Sequence, residues 1–378
     1  MAKHKAEISM AIILVGLLSG CAAKRRPVAA PQVQLPQVGA RWSRASIPFR
    51  AAYVTAVGNV FWACGADETI ASSADGGKTW NVVYQNRGGG TLLNITFLND
   101  KIGHAAGTGG RLLSTTDGGL TWNSHDAGAK VWAFSFADPS SGIAVIGGRR
   151  SLPQSNRDGP RLMTGPVKLT HDGGDHWEDI PALASEELRS FPIVVAIAAL
   201  DSTHYLMIRE HPEVEDAYVV TDDGGKSWKV IHQRDDATNR ELASYVFAHG
   251  REYWAFGMEL VHRGTGGGYG VPLTLYSKDG ETWTHGVNGG EHEYGGCNAQ
   301  GCYMWDGTIE VLYGERAQYW ALPQDGSMST LRWAIAGGRA CTLGPELECG
   351  PATITQELQP RPQKTAPYTF TLEQKWED

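Results

Sequence analysis

Two stretches show the chain's basic rhythm. Leu93, Ile95 and Phe97 alternate with polar neighbours, and so do Trp132, Phe134 and Phe136. A period of two puts successive apolar side chains on one face of an extended strand, so both stretches predict strands with one buried face. Around the second, a unit of four strands can be parsed whole. Val131–Ala137 is its inner strand, Gly142–Gly147 the second, Val167–Thr170 the third and Trp177–Ile180 the outer one. The same division recurs upstream at Ala52–Val57, Val60–Cys64, Thr69–Ser73 and Trp80–Tyr84.

A short motif marks these units. Residues 73–80 read SADGGKTW, 115–122 TTDGGLTW, 170–177 THDGGDHW and 221–228 TDDGGKSW, with a shortened SKDGETW at 277–283. Asp and Ser/Thr side chains bond nearby backbone, glycine accepts positive φ, and the whole predicts a hairpin turn. The tryptophan then opens the next strand, where its ring packs between neighbouring sheets. The pattern resembles the Asp-box, or BNR, repeat of sialidase-type and related β-propellers, over roughly residues 41–338. That resemblance implies an all-β propeller of four-stranded antiparallel blades. It also implies a structural role for Asp75, Trp80, Asp117, Trp122, Asp172, Trp177, Asp223, Trp228, Asp279 and Trp283. A sixth unit at about 297–336 carries an eroded box in Gln324-Asp325-Gly326 and Trp333, so six blades are favoured, with seven if the 340–378 stretch forms another. Arg41-Trp42-Ser43 reads as an orphan outer strand able to complete the last blade and leave no open sheet edge.

The N-terminus is different. Lys3 and Lys5 precede an apolar run from Ile8 to Leu18, then Leu18-Ser19-Gly20-Cys21. A basic start, a short apolar run and small residues make a secretory signal over 1–20. Leu-Ser-Gly-Cys also resembles the lipobox of bacterial lipoproteins, which implies acylation of Cys21 and, with Ala22 following, favours the outer membrane. Residues 21–40, with Pro27, Pro31 and Pro36, read as a tether, and 339–378 as a cysteine-containing tail. Composition fits this picture. With 42% hydrophobic residues, 47 glycines and 13 tryptophans, the chain can bury a core of short strands. A net charge of −8 argues against a nucleic-acid partner. In an oxidising compartment the spacings of Cys297 and Cys302, and of Cys341 and Cys349, suit two local disulfides, with Cys64 a buried thiol. His285, Glu291, His292 and Glu293 precede Cys297 but form no metal-ligand pattern, so neither metal nor cofactor is expected.

Where the units differ in length, function is the natural expectation. Consecutive box aspartates stand 42, 55, 51 and 56 residues apart. The excess falls between the second and third strands of three consecutive units: Arg149–Gly165, Arg209–Asp216 and Met258–Val271. In an up-and-down blade, that turn lies at the end opposite the boxes. Insertions on one face of a repeat array mark a binding side, while drift of surface loops is the competing explanation. The first insertion carries Arg149, Arg150, Arg157 and Arg161. The second has Arg209, Glu210, His211, Glu213, Glu215 and Asp216, and the third His262, Arg263 and Tyr269. This mixed rim suits an unidentified protein partner or a surface glycan. Gly107-Thr108-Gly109-Gly110 ahead of a box resembles propellers of the photosystem II assembly-factor type, which implies a scaffold. A sialidase-like or other glycoside hydrolase is the rival reading. Its arginine motif (Phe/Tyr-Arg-Ile-Pro) has no match, since Ser46-Ile47-Pro48-Phe49-Arg50 has the ingredients in another order. Of the acids available, Glu210, Glu259, Glu291 and Glu293, no two are paired by sequence. No catalytic residue is assigned.

Overall fold

The structure is a computed structural model. It describes residues 42–151, 162–184, 192–210, 216–232, 239–262, 268–285, 294–298, 301–305, 309–313, 316–321, 333–360 and 369–371. The described residues form seven antiparallel sheets and no α-helix. Sheet one comprises Ala51–Val57, Val60–Gly65, Thr69–Ser73 and Asn81–Tyr84. Sheet two has Leu92–Phe97, Gly103–Gly107, Arg111–Thr115 and Asn123–Asp126. Sheet three has Val131–Phe136, Gly142–Ile146, Val167–Thr170 and Glu178–Asp179. The unit boundaries thus fall within a residue or two of those read from the alternation. Sheet four contains Ile193–Ala199, Tyr205–Glu210, Asp216–Thr221 and Lys229–His232. Sheet five contains Asn239–His249, Glu252–His262, Gly268–Ser277 and Thr282–His285.

Sheets six and seven depart from the expected parse. Sheet six is complete in Tyr294–Asn298, Gly301–Trp305, Ile309–Tyr313 and Arg316–Ala321. Tyr313 pairs with Arg316, so only two residues separate its third and fourth strands and an Asp-Gly hairpin has no room there. Trp333, expected to close an eroded box, instead opens the inner strand Trp333–Ala336 of sheet seven; Gln324, Asp325 and Gly326 lie outside the described residues. Arg339–Leu343 and Leu347–Pro351 follow, and Ser43–Arg44 adds the fourth strand through Ser43 opposite Cys349. The orphan strand therefore does complete the last sheet, and residues 339–351 are part of that sheet. Beyond it the chain turns back along outer edges: Thr353–Pro360 joins the fourth strand of sheet six, and Thr369–Thr371 that of sheet five. Both additions cover strand edges that would otherwise be free to pair with another chain.

Packing joins neighbouring sheets wherever their side chains are described. Five buried clusters link sheets one with two, two with three, three with four, four with five, and seven with one. In the last, Val54, Phe61 and Ala63 meet Ala336, Leu343 and the cysteines Cys341 and Cys349. The inner strands carry a shared irregularity. A bulge falls at Ala51/Tyr53, Leu92/Asn94, Val131/Ala133, Val194/Ala196 and Ala243/Tyr245. Each bulge moves the side-chain phase by one residue. Leu92 and Val131 are consequently buried, while Leu93 and Trp132, the first members of the two alternating series, are only partly so.

Candidate functional site

At one end of the sheets stand the repeated aspartate hairpins. In the first, Ser73 Oγ donates to Asp75 Oδ1 at 2.8 Å, and Gly77 N donates back to Ser73 Oγ at 2.8 Å. Thr79 donates to the same carboxylate through its N–H at 2.9 Å and its hydroxyl at 2.6 Å. Thr121, His176 and Ser227 repeat that double contact on Asp117, Asp172 and Asp223. These bonds stabilise the charged form. The Thr121 hydroxyl and N–H take Asp117 down to about 2, and the His176 N–H leads the lowering of Asp172 to about 2. Each box tryptophan packs into the junction with the preceding sheet: Trp80, Trp122, Trp177, Trp228 and Trp283 in turn. The carboxylates are fully engaged locally, and a proton acceptor for chemistry needs a free one.

Two further polar groups lie outside the sequence expectations. Ser114 Oγ stands 2.8 Å from His125 Nε2, and His125 Nδ1 2.6 Å from Asp175 Oδ1 of the next box. The order is that of an acyl-transfer triad. Ser114, however, sits inside a regular ladder between His104 and Asn123, and Asp175 is 61% exposed, so water screens its charge. The chain of contacts ties sheet two to sheet three. The second group, at the other end, is Glu68. It is 1% exposed and accepts from Asn86 Nδ2 at 2.7 Å and Arg111 at 3.1 Å. Asp67 and Glu68 both have positive φ, 55° and 42°, a conformation that costs a non-glycine residue energy. Gly109 of the Gly-rich motif makes room: a Cβ there would stand 1.7 Å from Glu68 Oε1. An Asp-Glu pair where the following unit has Gly-Gly is the signal that could have flagged this clamp.

The three insertions lie between the second and third strands of sheets three, four and five, at the end away from the boxes. They differ in build. The first forms a hairpin of Arg150–Ser151 and Leu162–Met163 that adds to sheet four, through Met163 opposite Val194, and so widens that sheet to six strands. The second continues its ladder to Glu210 opposite Asp216. The third is a long hairpin running out to His262 opposite Gly268. Arg149 is exposed and Arg150 and Glu210 half-buried, whereas Arg209 is buried. Arg157, Arg161, His211 and Arg263 fall outside the described residues, while His262 and Tyr269 lie on strands described by backbone alone. Of the acids considered for hydrolysis, Glu259 is on such a strand and Glu291 and Glu293 are outside.

The cysteines divide as the spacing suggests where they are described. Cys341 and Cys349 are disulfide-bonded across adjacent strands, and Cys64 is a buried free thiol. The backbone register sets Cys297 opposite Cys302. Cys21 lies outside the described residues. Among the described residues no group of three or more His, Cys, Asp or Glu is arranged to hold a metal, and no helix is long and apolar enough to cross a membrane.

The sheets define a β-propeller. No protein-family model matches the chain, and no curated protein sequence does. Among solved structures it is similar to YCF48 bound to D1 peptide, with a TM-score of 0.43 and 14% identity over 86% of this chain and 99% of that one. YCF48 from Cyanidioschyzon merolae aligns with a TM-score of 0.41 and 14% identity, covering 82% and 98%. The GH74 xyloglucanase from Xanthomonas campestris aligns at 0.46 and 10%, covering 82% of this chain and 53% of that one. At these identities the likeness concerns the fold alone.

Proposed function

We propose that the chain is a lipid-anchored, extracytoplasmic propeller that works as a protein-binding or assembly module through the insertion-bearing face of sheets three to five. One observation carries the reading: three consecutive sheets lengthen at the same strand junction, opposite the hairpins whose carboxylates are consumed internally. Arginine-rich and acidic loops side by side give a partner both attraction and register. The anchor follows from Leu18-Ser19-Gly20-Cys21, which supplies an acylation site ahead of a proline-rich tether. The test is capture from native membranes. Replacing Arg149, Arg150 and Arg157 by alanine should remove most co-purifying protein and leave the melting curve within a degree or two. Undiminished recovery of the same partners would sink the surface assignment. For the anchor, Cys21→Ser should abolish incorporation of labelled palmitate and release the chain from membranes; retention with the pellet would contradict it.

A further inference from the structure

Arg209 is 9% exposed, yet no carboxylate pairs with it among the described residues and its Nε has no hydrogen-bond partner. Buried arginines are nearly always paired, because an uncompensated buried charge is costly. Burial lowers its pKa. Its place in the sheet explains how it is buried. Arg150, Met163, Val194, Arg209 and Ala217 stand opposite one another in a single row across sheet four. Residues in register share one side of a sheet. Met163, Val194 and Ala217 belong to the cluster that packs against sheet three, so this row faces the junction between the two sheets. At roughly 4.8 Å per strand, the Arg150 and Arg209 backbones are about 14 Å apart. The strands Leu162–Met163 and Arg150–Ser151 extend the sheet beyond Ile193–Ala199, and Arg150–Ser151 ends it.

We infer that the Arg209 guanidinium, at the junction between sheets three and four, is the receptor for a carboxylate on an acidic segment of a protein partner. This deepens the proposed function and rests on it for the face used. A planar guanidinium whose Nε has no hydrogen-bond partner matches a carboxylate in two parallel hydrogen bonds. Two features favour an extended peptide over an acidic sugar: the flanking residues of the row are aliphatic, and the neighbouring strand terminates the sheet with an edge an extended segment can join.

The probe is hexaglutamate, with hexaglutamine and polygalacturonate as companion arms, titrated onto the full chain in detergent. Hexaglutamate should bind, hexaglutamine should not, and Arg209→Met should weaken hexaglutamate binding about tenfold or more. Because the chain's net charge is −8, indiscriminate attraction of a polyanion is disfavoured. Raising the salt separates the sites: attraction to exposed Arg149 is screened, and a buried pair is much less so. Arg209→Met should also raise the melting temperature of the ligand-free protein, since an apolar side chain replaces a buried charge that no described residue pairs. Should that variant fail to fold, Arg209→Lys keeps the charge and loses the fork, and should still bind measurably more weakly. Equal hexaglutamate affinity in the wild type and either variant, or no binding to the wild type, overturns the inference. Binding of polygalacturonate alone overturns the peptide assignment. Loss of partner capture in the Arg149, Arg150 and Arg157 variant alongside any of these results would leave the face standing and remove only the Arg209 receptor.

Discussion

The two ends of the sheets solve opposite problems. At the hairpin end the four full boxes repeat the same bonds, and the second glycine of each is pressed against the preceding sheet. At the insertion end no two sheets are alike: a clamp around Glu68, a hairpin donated to the next sheet, a long two-stranded excursion and a buried arginine with no counter-ion among the described residues. A repeat whose carboxylates are all engaged by its own backbone and hydroxyl groups costs little to copy and has no free carboxylate to offer a ligand. Unsatisfied groups at the other end lower stability, and proteins keep such groups mainly where they work.

The sharpest way to break this contrast is at Gly77. Its φ is 84°, and a Cβ would stand 2.4 Å from Cys349 Sγ, where the first hairpin meets the disulfide of sheet seven. Gly77→Val combines strain with overpacking and should cost on the order of 4 kcal/mol in denaturant unfolding. An isolated insertion-end change, such as Arg149→Ala, should stay within about 0.5 kcal/mol. If the two cost the same, the division of labour is wrong.

Acid should also find the hairpin end first. Burial lowers the His104 pKa to about 3, with His125 adding to the effect and Asp138 opposing it, and the ring stacks on Phe136 at 3.8 Å. The native value lies below the unfolded one, so the unfolded chain takes up a proton that the native state refuses. Stability should therefore fall from about pH 6.5 downward and go on falling until about pH 3, by up to roughly 4 kcal/mol. His104→Phe keeps the stack and should flatten that window. The box carboxylates act lower: Asp117 and Asp172, near 2 in the fold, contribute above the unfolded carboxylate value and lose their contribution as pH falls below it. Asp117→Asn should change the profile only below about pH 4. A His104→Phe profile that still drops between pH 6 and 4 would refute the assignment.

Much of this hairpin end was legible from sequence because its causes are local. The strand limits of sheets one and three follow from alternation and the Asp-Gly-Gly-Trp punctuation, within a residue or two. The inner-strand bulges were not legible: Leu93 and Trp132 fit the alternation, and only the two-stranded ladder shows that Leu92 and Val131 take the buried places. Sheet seven was half-legible. Its outer strand from Ser43–Arg44 could be inferred, but Trp333 was misplaced because sheet six closes its last hairpin in two residues without an aspartate. At the insertion end the junctions were visible as spacing. The burial of Arg209 was not, since it depends on a hairpin from the preceding unit pairing with Val194.

Reduction tests the closure shared by both ends. The Cys341–Cys349 bridge spans 8 residues of sequence, and Cys349 is also the partner of Ser43. Loop-entropy arithmetic for so short a ring gives about 2–3 kcal/mol. Cys341→Ala with Cys349→Ala should lower stability by that much and increase exchange of the Ser43–Arg44 amides. Unchanged protection there would mean that the pairing of this strand does not depend on the bridge.

The smallest expected effect concerns Ser114, His125 and Asp175, because here the hairpin end comes nearest to chemistry. A serine made nucleophilic needs a base whose orientation and charge are held in a dry site, and donors placed for the oxyanion. Asp175, at 61% exposure, holds His125 through a contact that water and salt weaken, and Ser114 is held in the middle of a ladder. Exposed ion pairs contribute about 0.2–1 kcal/mol. Asp175→Asn should therefore cost less than about 1 kcal/mol, and a fluorophosphonate probe should leave Ser114 unlabelled in both proteins. Labelling that requires His125 and falls in Asp175→Asn would make this contact a working triad, and the hairpin end would then carry an activity that its satisfied carboxylates give no reason to expect.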